Sequence, residues 1–518
     1  MHEFARRDFL LRSGLSLAAS AFTLRAQTSG FDIRTYGAKG DGKTLDTPAI
    51  NRAIEAASAA GGGVVHFPAG TYASYSIRLK RDVTLDLDPG ATILAAEPAS
   101  AAGYDLAEPM ELDKYQDYGH SHFQNSLIWG EALNNVGITG PGLIYGKGLS
   151  KGTGPGLRAE DPFVGNKAIS LKNCRNVTLR DFAILQGGHF GILATGVDDF
   201  TIDNLKIDTN RDGIDIDCCR NVRVSNTSVN SPWDDAICLK SSFGLGHARA
   251  TEGVTITNCA VSGSYTMGSL LDATFQPLAR GERIPRTGRI KFGTESNGGF
   301  KNVTISNCTF DGCQGLALET VDGGLLEDVT ITNITMRSII SAPIFLRLGA
   351  RMRGPAGVPV GVLRRVLISN IVCSGAASYL GSILSGIPGH PIEDIKISDV
   401  YIQHEGGGTK ENAALQPAEK EDAYPEPGMF GTMPSHGFYI RHAKNVEISH
   451  VELAPQAPDR RPVFVMNDVD GVDLFRIKSP RAADVPAVVL NSVRNFSVSA
   501  SKPLIADTQL ERAEQVKI

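Results

Sequence analysis

No stretch of this chain is long and apolar enough to be a permanent membrane span, no excess of positive charge runs through it, and no Cys-x-x-Cys pair or histidine cluster has metal-ligand spacing. Each absence removes a class of function. A bilayer-spanning helix needs about 20 consecutive apolar residues, so no membrane anchor is expected. A formal charge of −5 over 518 residues offers no global field to nucleic acid. That sign repels a polyanion at long range, so an acidic ligand would need a local cationic site. No cofactor or metal is implied, and nothing in the sequence bears on oligomeric state. Of the eight cysteines, Cys259 and Cys308 hold the same place in two repeats, Thr-Asn-Cys and Ser-Asn-Cys. Stacked buried thiols fit that placement, with a disulfide as the alternative.

The chain begins with Arg6-Arg7-Asp8-Phe9-Leu10, an apolar run from Leu15 to Leu24, and a plausible cleavage point after Ala26. This pattern predicts a twin-arginine signal peptide over residues 1–26 and a mature protein that is periplasmic or secreted. Setting those residues aside removes four arginines and two acids and leaves a charge of −7.

Beyond the leader, one phrase recurs: Val83-Thr-Leu-Asp-Leu, Val136-Gly-Ile-Thr-Gly, Val254-Thr-Ile-Thr-Asn, Val303-Thr-Ile-Ser-Asn, Val329-Thr-Ile-Thr-Asn, Val366-Leu-Ile-Ser-Asn, Ile395-Lys-Ile-Ser-Asp and Val446-Glu-Ile-Ser-His. Alternating β-branched residues turn one face inward, and the Asn or Asp that often follows suits a bend. Short strands repeating at about 20–30 residues predict a right-handed parallel β-helix, whereas propeller blades repeat at roughly 40–50. The run Asp46-Thr-Pro-Ala-Ile-Asn-Arg-Ala-Ile-Glu-Ala-Ala predicts an amphipathic helix with Asp46 as N-cap and Pro48 close behind. Such a helix would cover the open end of the solenoid. Residues 27–518 are therefore expected to form one domain, with long cleft-forming loops near 264–289, 349–364 and 403–436.

Chemistry concentrates in Asn210-Arg211-Asp212-Gly213-Ile214-Asp215 and Trp233-Asp234-Asp235-Ala236. Asp212 and Asp234 are 22 residues apart, close to the interval between neighbouring strand phrases. One coil of a solenoid therefore separates them, and the acids gather on one face. Clustered carboxylates raise the pKa of at least one member, which suits acid/base work. Adjacent strand residues point to opposite faces, so Asp234 and Asp235 reach one cleft only at a strand end or turn.

These stretches, with the opening Phe31-Asp-Ile-Arg-Thr-Tyr-Gly-Ala-Lys-Gly-Asp-Gly and Trp233-Asp-Asp-Ala-Ile-Cys-Leu-Lys-Ser, resemble glycoside hydrolase family 28, the polygalacturonases and rhamnogalacturonan hydrolases acting on pectin. The family's Asn-Thr-Asp matches at Asn210 and Asp212, with Arg211 in place of Thr, and its Asp-Asp pair at Asp234 and Asp235. The resemblance implies an inverting hydrolase with Asp234 as general acid and Asp212 and Asp235 activating water. Two family motifs are missing. Gly-His-Gly on the next coil is replaced by Arg286-Thr-Gly-Arg-Ile-Lys-Phe-Gly-Thr-Glu-Ser. The Arg-Ile-Lys that grips a uronate carboxylate gives way to Gly315-Leu-Ala-Leu-Glu-Thr.

The expected catalytic residues are Asp212, Asp234 and Asp235. The expected substrate-binding residues are Asn210, Lys240, Lys291, Glu295, Glu319, Arg347 and Arg351. Arg347 and Arg351 are compensating cations for a carboxylate. Glu295 and Glu319 suit neutral sugar hydroxyls or structural ion pairs, with Glu295 against Lys291 one such pair. Lys240 suits either a catalytic Asp or the substrate. Arg353, His189, His390 and His436 read as structural. The expected partner is a pectic poly- or oligosaccharide, attacked from the chain end or at rhamnogalacturonan linkages. The alternatives are a polysaccharide lyase, with Asp212, Asp215 and Asp217 as a partial calcium loop, and a non-catalytic glycan-binding β-helix.

Overall fold

The computed structural model describes residues 30–99, 102–152, 156–279 and 284–518; the leader lies outside them. Nearly all of this chain winds into a right-handed parallel β-helix with three ladders. The first ladder carries the chemistry. Its rungs are β1 (Ile128–Glu131), β2 (Lys167–Lys172), β3 (Phe190–Thr195), β4 (Asp212–Asp217), β5 (Ile237–Ser241), β6 (Ile290–Ser296), β7 (Leu316–Thr320), β8 (Ile344–Leu348), β9 (Ser382–Ser385) and β10 (Phe438–Ala457). Each pairs parallel with the next. Strands such as Arg175–Arg180, Asp198–Asp203 and Arg220–Ser225 make the second ladder. Ala183–Leu185, Lys206–Asp208 and Ser228–Asn230 make the third. From Phe300–Asp311 onward one long strand serves both of these ladders.

The recurring phrase explains the core. On the first ladder Ile216, Leu239, Phe292, Leu318, Leu346, Leu384, Ile440 and Met466 stack in register and are fully buried. Each such side chain contributes about 1.5–3 kcal/mol of burial. The bends are set by asparagine: Asn176, Asn221, Asn258, Asn307 and Asn333 have φ between 53° and 57°. Asn adopts this left-handed conformation at lower cost than most residues, and its amide bonds the neighbouring coil, as from Asn333 to Asn307 at 3.1 Å.

Helix α1 (Thr47–Ala59) buries Ala49, Ile50, Ala53, Ile54 and Ala57 against the first coils. Pro48 sits in its first turn, but Asp46 does not cap it. The Asp46 carboxylate accepts instead from the backbone of Lys39 at 2.7 Å and Gly40 at 3.0 Å, fixing the preceding turn. At the far end Thr508–Ala513 and Val516–Lys517 return antiparallel onto Val488–Ser499. All eight cysteines are free and buried, so Cys259 and Cys308 are stacked thiols. Among the described residues no helix is long and apolar enough to cross a membrane.

Candidate active site

Asp212 is the first residue of β4, and Asp234 and Asp235 lie in the bend just before β5. Backbone bonds fix that bend: Trp233 N–H to Asn210 O at 3.0 Å, Gly213 N–H to Asp235 O at 3.0 Å, and Gly288 N–H to Asp234 O at 2.9 Å. The turn lets consecutive aspartates converge. Carboxylate oxygens of Asp212, Asp234 and Asp235 lie within 4.8 Å of one another. Asp212 and Asp235 are 3% exposed, whereas the Asp234 side chain is 25% exposed and reaches the cleft.

The three carboxyls have different surroundings. Burial, with the Asp215 and Asp234 charges added, pushes Asp212 well above the ordinary carboxylate range. One Asp212 oxygen is buried with no hydrogen-bond partner. Burial also works to raise Asp235, but the Lys291 and Arg289 charges outweigh it and hold Asp235 below its usual value. Arg289 donates to Asp235 at 3.0 Å, and Lys291 stands 3.5 Å away. Asp234 accepts from Arg211, Nη2 at 2.6 Å and Nε at 3.1 Å.

Behind Asp212, Asp215 on β4 meets His120, delivered by the short helix α2 (Tyr118–Ser121), at 2.9 Å. The other His120 ring nitrogen faces Asp117 at 3.2 Å, and His189, stacked on Phe190, lies 3.3 Å from Asp117. Burial and the Lys240 charge oppose protonation of His120, but Asp117 and Asp215 outweigh them and push it up to about 10. His120 is thus a buried imidazolium. With two cations, His120 and Lys240, facing Asp215, the proton of the Asp212–Asp215 pair belongs on Asp212.

The expected binding residues divide into three groups. Lys240, Lys291, Glu295 and Glu319 belong to this charge network. Glu295 pairs with Lys240 at 3.2 Å and Arg353 at 3.7 Å rather than with Lys291. Lys291 meets Asp235, Glu426 and Glu319. Glu319 is fully buried beneath Lys291 with neither carboxyl oxygen hydrogen-bonded, and burial, against the Lys291 charge, pushes it up to about 8. Asn210 is buried beside the bend with its side-chain oxygen unpartnered.

The second group is Arg347 alone, and it is not a substrate cation. It is 1% exposed, and its Nη1 and Nη2 bond Ser385, Gly386 O, Glu419 O and Lys420 O, pinning the segment that crosses above β7 to β10. Arg351 stands apart as the third. It pairs with Asp322 at 2.5 Å and Thr294 O at 3.1 Å, leaving a buried Nη1 without a partner. The partial calcium loop does not form, because Asp215 faces His120 while Asp217 accepts from Ser242 and Thr195.

Four residues escaped the sequence reading: His120, Arg211 as partner of Asp234, Arg289 and Glu426. Arg289-Ile290-Lys291 is itself an Arg-Ile-Lys triplet, one coil before the place where the family pattern puts it, so that signal was available. His120 lies 95 residues before Asp215 on an irregular insertion, and nothing local marks it.

A parallel β-helix with clustered carboxylates in a cleft has its likenesses among the glycoside hydrolases. The family model described as rhamnogalacturonase A/epimerase, pectate lyase-like, matches residues 30–268. The chain is 25% identical over 414 residues to a probable polygalacturonase of Vitis vinifera, covering 75% of this chain and 76% of that protein. It is 29% identical over 178 residues to an exo-poly-alpha-D-galacturonosidase of Dickeya chrysanthemi, covering 34% of this chain and 28% of the relative. The family 28 exopolygalacturonase of Yersinia enterocolitica shares the fold at a TM-score of 0.59 and 18% identity, over 87% of this chain and 78% of that one. More particularly, then, the chain is similar to the polygalacturonases of glycoside hydrolase family 28.

Proposed function

We propose that the protein is an exported, inverting hydrolase of pectic glycans that works from chain ends on rhamnogalacturonan-type substrates. The observation that carries this reading is the convergence of Asp212, Asp234 and Asp235 on one cleft, with oxygens within 4.8 Å. Inversion rests on the family resemblance. Carboxyl separations of about 6.5–9.5 Å accompany inversion elsewhere, and the nearest oxygens here are closer.

Asp234 is the carboxyl that reaches the cleft, and in this reading it delivers the proton to the glycosidic oxygen. Asp212 holds that proton at rest, at a distance one water can bridge. Asp235, kept ionised by Arg289 and Lys291, orients and deprotonates the attacking water. Chain-end action draws support from the segment pinned by Arg347 and Arg441, which lies across the ladder beside the acids. Export rests on Arg6-Arg7.

The deciding experiment incubates mature protein with polygalacturonate and rhamnogalacturonan oligosaccharides and follows products by NMR. Release of terminal sugars with the anomeric configuration inverted is expected. An unsaturated product would make the protein a lyase instead.

A further inference from the structure

Arg289 and Lys291 are the natural seat for an acidic ligand in this cleft. They are two permanent cations on one strand and its entry, both touching Asp235, at 1% and 2% side-chain exposure. The seat is already taken. Glu426, from the segment above the ladder, reaches down to Arg289 Nη2 at 2.5 Å and Lys291 Nζ at 3.3 Å. Two residues earlier, Tyr424 lays its ring over Lys291 at 5.5 Å and over Arg351 at 6.0 Å. Glu426 is itself 32% exposed in its side chain, so it forms the solvent-facing lid of a cation pair that is otherwise sealed.

The charges balance without any further anion. Asp235 and Glu426 offset Arg289 and Lys291, and Glu319 beneath them carries its proton at neutral pH. A ligand carboxylate entering here would have to expel Glu426 or lie beside it, and like charges in a site this dry repel strongly.

Resting on the pectic reading above, we infer that Glu426 is a specificity-determining residue: it occupies the cationic seat beside Asp235 so that the sugar bound there is neutral rather than a free uronate. Arg351, facing the same Tyr424 ring, pairs with Asp322 and keeps a buried Nη1 unpartnered.

The test is calorimetric, in an Asp212→Asn background, which stops turnover while imitating the protonated side chain. Trigalacturonate and its fully methyl-esterified, uncharged counterpart are titrated into that protein and into the same protein carrying Glu426→Gln. With Glu426 present, the ester binds at least as tightly as the acid. Glu426→Gln, by vacating half the counter-charge, tightens the acid about tenfold and moves the ester less than about twofold. If the acid already binds more tightly than the ester and Glu426→Gln leaves the ratio unchanged, Glu426 is displaced by substrate and the filter is overturned while the pectic reading stands. If neither trimer binds in either protein, the filter is overturned, and the pectic reading is decided separately by the products formed from rhamnogalacturonan oligosaccharides.

Discussion

At the scale of single residues, the site works by giving identical carboxyls different surroundings. Asp212 is buried among like charges and keeps its proton; Asp235 is buried among cations and loses it. In the proposed mechanism turnover needs Asp212 protonated, so kcat/KM is expected to fall as pH rises through a pKa lifted above the usual carboxylate value. The same mechanism needs Asp235 ionised, so kcat/KM is also expected to fall as pH drops through a pKa held below that value. The expected profile is a bell wider than two ordinary carboxylates would give, measurable on any cleaved oligosaccharide. Asp234→Asn lowers kcat by about 10²–10⁴ with KM little changed; full retention of kcat would remove Asp234 from the proton path. Glu319 makes a second, independent prediction. Its carboxyl holds a proton up to about pH 8 in the folded protein, against 4.5 for the free group. Both states are protonated below 4.5, so the fold suffers no penalty there. As pH rises the unfolded chain ionises first, and stability is lost progressively until the folded pKa is passed. Glu319→Gln removes that loss, worth at most roughly 5 kcal/mol. Melting temperatures of the variant and wild type should therefore converge near pH 4 and separate by pH 8, with the variant higher. Equal separation at both pH values would contradict a proton-holding Glu319.

Among the elements, the segment over residues 417–430 lies over the ladder, and two buried arginines hold it down. Arg441 donates to the carbonyls of Pro417, Ala418 and Glu419, and Arg347 to those of Glu419 and Lys420. Phe430 lies over both guanidinium groups, 4.8 Å from Arg441 and 5.5 Å from Arg347. Arg347→Ala leaves three carbonyls, those of Gly386, Glu419 and Lys420, and Ser385 with lost bonds, a local cost of about 1–3 kcal/mol per unsatisfied group. The β-helix core should survive while the segment loosens. Faster proteolytic nicking near residues 417–430, with an unchanged far-ultraviolet spectrum and a raised KM, is the expected result. Elements differ in how far the sequence makes them legible. Strands and bends were legible because Val-Thr-Ile-Ser-Asn writes a two-residue alternation and a left-handed turn directly into the sequence. The bend that joins Asp234 to Asp235 was legible because strand geometry forbids two neighbours on one face. The role of Arg347 was not, because its partners are backbone carbonyls 72 and 73 residues away, which carry no side-chain signature. Asp46 misled for a related reason: a good N-cap residue found two stronger donors in the turn before the helix.

On the scale of the whole molecule, a stacked ladder must end somewhere, and each end is a row of unpaired backbone groups. Helix α1 covers the first coils, a solution the amphipathic run announced. At the last coil, Val488–Ser499 is instead paired antiparallel by Thr508–Ala513 and Val516–Lys517. A direction reversal of this kind breaks the parallel repeat, so that end cannot template another coil in register. Leu510, Val516 and Ile518 also pack against the core, covering the layer that includes Leu490, Val493, Phe496 and Val498. Removing residues 507–518 strips both the pairing and the apolar cover while leaving the acids, more than ten strands' worth of ladder away in sequence, untouched. The truncated protein should therefore keep its activity per folded molecule but self-associate, with light scattering reporting a larger mass than the full chain gives at the same concentration. A truncated chain of unchanged mass and melting temperature would mean that the closing strands are dispensable and that the last coil is protected by its own charged rim, where Asp470 and Arg494 already pair at 2.9 Å.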